Sequence, residues 1–183
     1  MSNYKDFLSR KSQLENNAGF EPVFMPDFLF PFQRALTTWA IQKGRAALFE
    51  DCGLGKTPQQ LVWAQNIVQK TNKPVLILTP LAVGHQTIRE AHKFGIEAVQ
   101  SRDGKIPSKI TITNYQQLHK FDWQQFAGVV CDESSILKNF DGKIKAEVTD
   151  FMRKLPYRLL CSATAAPNDY IELGTSSEAL GDL

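Results

Sequence analysis

The sequence predicts an α/β domain in three layers, with helices on both faces of a mainly parallel central sheet. Short apolar runs rich in Val, Ile, Leu and Phe alternate with longer helix-compatible segments along most of the chain, as in consecutive βαβ units. The middle runs lack polar alternation, which is the pattern of strands covered on both faces. At 183 residues and 43% hydrophobic the chain can bury one sizeable core. Residues 1–183 therefore read as one domain, with 1–28 as an N-terminal extension.

Residues 4–16 are predicted as a short helix. A loop follows through "AGFEPVFMPDF", where two prolines discourage regular structure. The strand candidates are "AALFE", "PVLILT", "KITIT", "GVVCD" and "YRLLCS". Helices are predicted over residues 32–43, 56–70, 83–94 and 142–154. There is no internal repeat and no low-complexity tract.

Composition narrows the function classes. No apolar run approaches the roughly 20 residues of a membrane helix, and "MSNYKDFLSRKSQLENN" lacks the apolar stretch of a secretory signal. The expectation is a soluble protein of the cytoplasm, bacterial or of a phage-infected host, without a membrane partner and monomeric. Cys52, Cys131 and Cys161 are widely separated and odd in number, which argues for reduced thiols over a disulfide framework or a zinc site. A net charge of +2 is too mild to indicate nucleic acid by itself.

The first chemical motif is "FEDCGLGKTPQQLVWA". A strand runs into a glycine-bearing turn that opens a helix, the context in which such a turn cradles phosphate. Gly53 and Gly55 let the backbone approach an anion without a Cβ in the way, and the helix N-terminus adds its N–H groups. Asp51, Cys52, Gly53, Leu54, Gly55, Lys56 and Thr57 are the candidate nucleotide-binding residues. Lys56 supplies charge for the β- and γ-phosphates, and the Thr57 hydroxyl is a candidate Mg²⁺ ligand. Glu50 stands where the strict pattern has its first glycine.

The second motif is "FAGVVCDESSILKN", an apolar run ending in Asp132 and Glu133. Ligands of open parallel sheets gather at the carboxyl ends of strands, so this pair can share a crevice with the phosphate loop. Asp132 suits Mg²⁺, which keeps most of its waters and needs one or two carboxylates. Glu133 suits the orientation or deprotonation of the water that attacks a γ-phosphate. Lys56, Asp132 and Glu133 are the catalytic candidates.

Taken together these motifs resemble the superfamily 2 helicases and translocases, especially the Swi/Snf-like branch. There the loop often reads acidic-acidic-x-G-x-G-K-T, as Glu50 to Thr57 do, and the second motif is of the DEAD/DEAH type, as in "DESSILKN" with its Lys138-Asn139. The resemblance covers most of the chain and implies a RecA-like P-loop NTPase domain that uses ATP and Mg²⁺. It implies that Gln33 reads the adenine edge, for which an amide offers a donor and an acceptor together. It implies that "LTPLAVGHQ" and "ITITNYQQL" lie along a nucleic-acid backbone, with Thr79, Pro80, Asn114 and Tyr115 as the contacts. In "CSATAAPND" it implies that Ser162 and Thr164 couple hydrolysis to domain movement. DNA is the implied partner, gripped without sequence specificity.

Such motors work between two RecA-like domains, and the second is expected to be absent from these 183 residues. The arginine finger it supplies is worth about 10³–10⁵ in rate in related phosphate chemistry. The chain alone is thus expected to hydrolyse ATP poorly. Another P-loop ATPase, or a non-catalytic nucleic-acid-binding adaptor, remains the alternative from the residues themselves.

Overall fold

A computed structural model of the chain describes residues 17–50, 54–133 and 141–163. The helix expected over 4–16 lies outside them. The elements in order are α1 (Pro31–Lys43), β1 (Arg45–Phe49), α2 (Lys56–Thr71), β2 (Val75–Thr79), α3 (Gly84–Lys93), β3 (Val99–Gln100), β4 (Ile110–Asn114), two 3₁₀ turns (Tyr115–Lys120 and Trp123–Gln125), β5 (Gly128–Cys131), α4 (Gly142–Lys154) and β6 (Tyr157–Ser162).

The six strands form one sheet in the order β1-β6-β5-β2-β4-β3. Every pairing is parallel, so all strands end on the same edge of the sheet. The three-layer α/β expectation holds, and the sheet is wholly rather than mainly parallel. β2 and β4 are buried along their whole length, β2 as an unbroken apolar run and β4 although Thr111, Thr113 and Asn114 alternate with its isoleucines.

Successive residues of each strand point to opposite faces, which divides the core in two. Val75, Ile77, Ile110, Ile112, Val130 and Leu159 pack beneath Ile41, Leu61, Trp63 and Ile67 of α1 and α2. On the other face Leu76, Leu78, Val129, Cys131 and Leu160 meet Val148, Phe151 and Met152 of α4, together with Tyr115 and Leu118.

Local chemistry sets the helix ends. Pro31 occupies the first turn of α1, where its missing N–H costs nothing. The Asp141 carboxylate accepts from the Ile144 N–H at 3.0 Å and starts α4. α2 stops at Asn72, which takes the left-handed conformation at φ 54° and donates its N–H to the Val68 carbonyl.

Residues 17–30 have no regular structure yet are tied down. The Asn66 side chain of α2 accepts from the N–H of Val23 at 2.8 Å and of Phe24 at 3.0 Å, and donates to the Phe24 carbonyl at 2.7 Å. The Phe20 ring meets Tyr157 edge-on at 5.7 Å. Among the described residues no helix is long and apolar enough to cross a membrane.

Candidate nucleotide site

The site gathers at the carboxyl ends of β1, β6 and β5. β6 lies between the strand that leads into the phosphate loop and the strand that carries the acidic pair. Gly55 caps α2 at φ 76° with no side-chain bond to the helix, so the first-turn N–H groups keep their capacity for an anion. A Cβ at Gly55 would meet only the tip of the flexible Gln33 side chain, so it is the left-handed conformation that favours glycine.

Lys56 opens α2 and donates from Nζ to the Glu50 carbonyl at 3.0 Å. Glu50, the residue in place of the first glycine, is 6% exposed. Its N–H donates to the Ser162 carbonyl at 3.1 Å, extending the β1-β6 ladder. Its Oε2 accepts from Gln59 Nε2 at 2.8 Å. The glutamate thus joins the strand end to the helix and belongs to the loop's scaffold. Asp51, Cys52 and Gly53 lie outside the described residues. Leu54 is 43% exposed, and Thr57 stands in the first turn of α2.

One hydrogen bond joins the two motifs. Gln60, one helical turn beyond Lys56, donates from Nε2 to Asp132 Oδ1 at 2.7 Å. Asp132 is 7% exposed, and burial lifts its carboxyl above the usual range. The Gln60 bond opposes that rise, the Glu133 charge adds to it, and the Lys56 charge opposes it. Lys56, Gln60, Asp132 and Glu133 therefore act on one another in one crevice.

Glu133 holds a left-handed backbone at φ 52°. Its Oε1 accepts from Ser162 Oγ at 3.4 Å and from the Ala163 N–H at 3.5 Å. Ser162 thus touches Glu133; Thr164 lies outside the described residues.

Gln33 also reaches the loop. Its Oε1 accepts from the Phe30 N–H at 2.9 Å, and its Nε2 donates to the Leu54 carbonyl at 2.8 Å. Both ends of the amide are engaged inside the chain here, so Gln33 braces the loop against the start of α1. Its oxygen keeps a second lone pair beyond the Phe30 bond.

The residues expected to line nucleic acid fare differently. Thr79 and Asn114 close β2 and β4 as register partners and are 1% and 4% exposed. Pro80 is half-buried. Tyr115 is likewise 1% exposed, in the core beneath the sheet, where its hydroxyl donates to the Asp132 carbonyl at 2.7 Å.

Sequence reasoning missed Gln59, Gln60 and the inward role of Tyr115. The spacing of Gln60, four residues after Lys56, was the available signal.

No family model matches the chain. It is 29% identical over 165 residues to a SWI/SNF-related matrix-associated actin-dependent regulator of chromatin subfamily A-like protein 1 of Xenopus tropicalis, covering 83% of this chain and 17% of that protein. It is 27% identical over 165 residues to the uncharacterized ATP-dependent helicase YqhH of Bacillus subtilis, covering 83% of this chain and 29% of that protein. The Sulfolobus solfataricus SWI2/SNF2 ATPase core, solved in complex with dsDNA, superposes with a TM-score of 0.74 at 25% identity, covering 88% of this chain and 37% of that one. The chain is similar in sequence to SWI/SNF-related proteins and in fold to a SWI2/SNF2 ATPase core. The chain spans less than a third of the length of these two curated relatives.

Proposed function

We propose that this domain binds ATP with Mg²⁺ and hydrolyses it as the first RecA-like domain of a DNA helicase or translocase. The observation that carries the reading is the 2.7 Å bond from Gln60 to Asp132, which spans the helix of the phosphate loop and the strand of the acidic pair.

On binding, Lys56 exchanges the Glu50 carbonyl for phosphate oxygens, and the N–H groups at the start of α2 surround the same anion. Residues 51–57 line the phosphates. The Thr57 hydroxyl and the Asp132 carboxylate would hold Mg²⁺, which when bound neutralises charge on the phosphate oxygens. The chemistry of the crevice fits a hydrated ion of this kind. The buried oxygens Glu50 Oε1, Gln59 Oε1 and Gln60 Oε1 have no protein partner, and the waters of such an ion need acceptors.

Glu133 accepts the proton of the attacking water. The water oxygen bonds to the γ-phosphorus as the bond to the bridging oxygen breaks, and ADP leaves with the electron pair. Ser162, in contact with Glu133, and Thr164 beyond it would transmit the change in charge. The resemblance to two-domain motors supports a partner RecA-like domain that supplies an arginine, so the chain alone turns over slowly. DNA, bound to the Sulfolobus relative, is the proposed track. Among the contacts expected from sequence, Pro80 is half-buried and the other three are buried.

Binding of a fluorescent ATP analogue, paired with single-turnover hydrolysis, tests this assignment. Lys56→Ala is expected to lose nucleotide binding. Glu133→Gln is expected to bind normally and to hydrolyse about 10²–10⁴-fold more slowly, the usual worth of a general base. Equal loss of binding in both variants would refute the separate roles.

A further inference from the structure

Tyr115 lies outside the nucleotide motifs but is joined to them at one backbone atom. It opens the 3₁₀ turn after β4, and its hydroxyl donates to the carbonyl oxygen of Asp132 at 2.7 Å. That oxygen belongs to the peptide group between Asp132 and Glu133. On the other side of the residue, the Asp132 N–H donates to the Leu78 carbonyl at 2.8 Å. Asp132 is therefore pinned by β2 before it and by Tyr115 after it.

The orientation of the peptide after Asp132 sets the φ angle of Glu133. That angle is 52°, in the left-handed region that a glutamate seldom adopts without outside support. Turning the peptide would relax Glu133 toward ordinary backbone and carry its carboxylate away from Ser162 Oγ and the Ala163 N–H, now at 3.4 and 3.5 Å. It would also break the bond from a phenolic hydroxyl that is wholly enclosed.

We infer that Tyr115 is a positioning residue for ATP hydrolysis: its buried hydroxyl holds the Asp132–Glu133 peptide in the orientation that aims the Glu133 carboxylate. The inference rests on the proposed role of Glu133. It assigns Tyr115 no contact with nucleotide, so binding and hydrolysis should separate when the hydroxyl is removed.

Tyr115→Phe keeps the ring and its packing and deletes the bond. Its crystal structure is expected to show residue 133 out of the left-handed region and the Glu133–Ser162 contact broken. Affinity for a fluorescent ATP analogue should stay within about twofold, while single-turnover hydrolysis falls about 10- to 100-fold, the scale of an ångström-sized misplacement. In a Glu133→Gln background the same change should cost nothing further, because the group it aims is already gone. An unchanged backbone at residue 133, or an equal loss of rate in both backgrounds, overturns the inference while leaving the assignment of Glu133 intact. Full hydrolysis by Glu133→Gln alone overturns that assignment and the inference with it.

Discussion

Asp132 is held in its site at a cost to the fold. Its carboxyl is lifted by burial more than Gln60 and Lys56 lower it, so its folded value lies above the ordinary 3.8. Between those two values the folded chain binds more protons than the unfolded one, and stability falls as pH rises through that window. Above it the full penalty is present. Asp132→Asn keeps an oxygen for Gln60 and removes the buried charge. In metal-free buffer it should raise the thermal midpoint at neutral pH, with a gain that shrinks as pH falls toward 3.8. Destabilisation of the same size at every pH would mean that the ionised carboxylate is not the source of the cost. Lys56, Asp132 and Glu133 were legible in the sequence because glycines, a lysine and paired acids at strand ends have few other uses in that order. Gln60 and Tyr115 were not. An amide or phenol that serves a buried partner looks the same in sequence as one on a surface, and only the packing of β2, β4 and β5 brings the partners together.

At the scale of elements, α2 carries more than the phosphate loop. Its first turn faces the anion site, its second reaches Glu50 and Asp132, and Asn66 near its end holds residues 23 and 24 by three backbone bonds. Asn66→Ala leaves those groups without partners, each costing about 1–3 kcal/mol where it stays buried. Chemical denaturation should show a loss of about 2–4 kcal/mol, and limited proteolysis should open within residues 17–30 before the sheet is cut. A loss under about 0.5 kcal/mol, the scale of a neutral surface change, would show that the segment is held by its aromatic contacts instead. Elements with strong local signals were read closely from sequence: α4 begins behind the Asp141 cap at the predicted residue. β3 was missed because two residues at a sheet edge carry no periodicity. The 3₁₀ turn from Tyr115 was missed because its inward tyrosine follows strand-like residues without a break in pattern.

Across the whole molecule, parallel pairing puts every strand's carboxyl end on one edge, and the order β1-β6-β5 sets the phosphate loop, Ser162 and the acidic pair side by side. The three-layer architecture followed from alternation alone. The neighbours in the sheet did not, since strand order depends on which helices cross which face. This edge is expected to hold one triphosphate between Lys56 and Asp132. A crystal structure with Mg²⁺ and a non-hydrolysable ATP analogue measures it directly. Lys56 Nζ is expected to be released from the Glu50 carbonyl and bound to phosphate, with the metal between Thr57 and Asp132. An analogue bound elsewhere, with Lys56 still on Glu50, would contradict it.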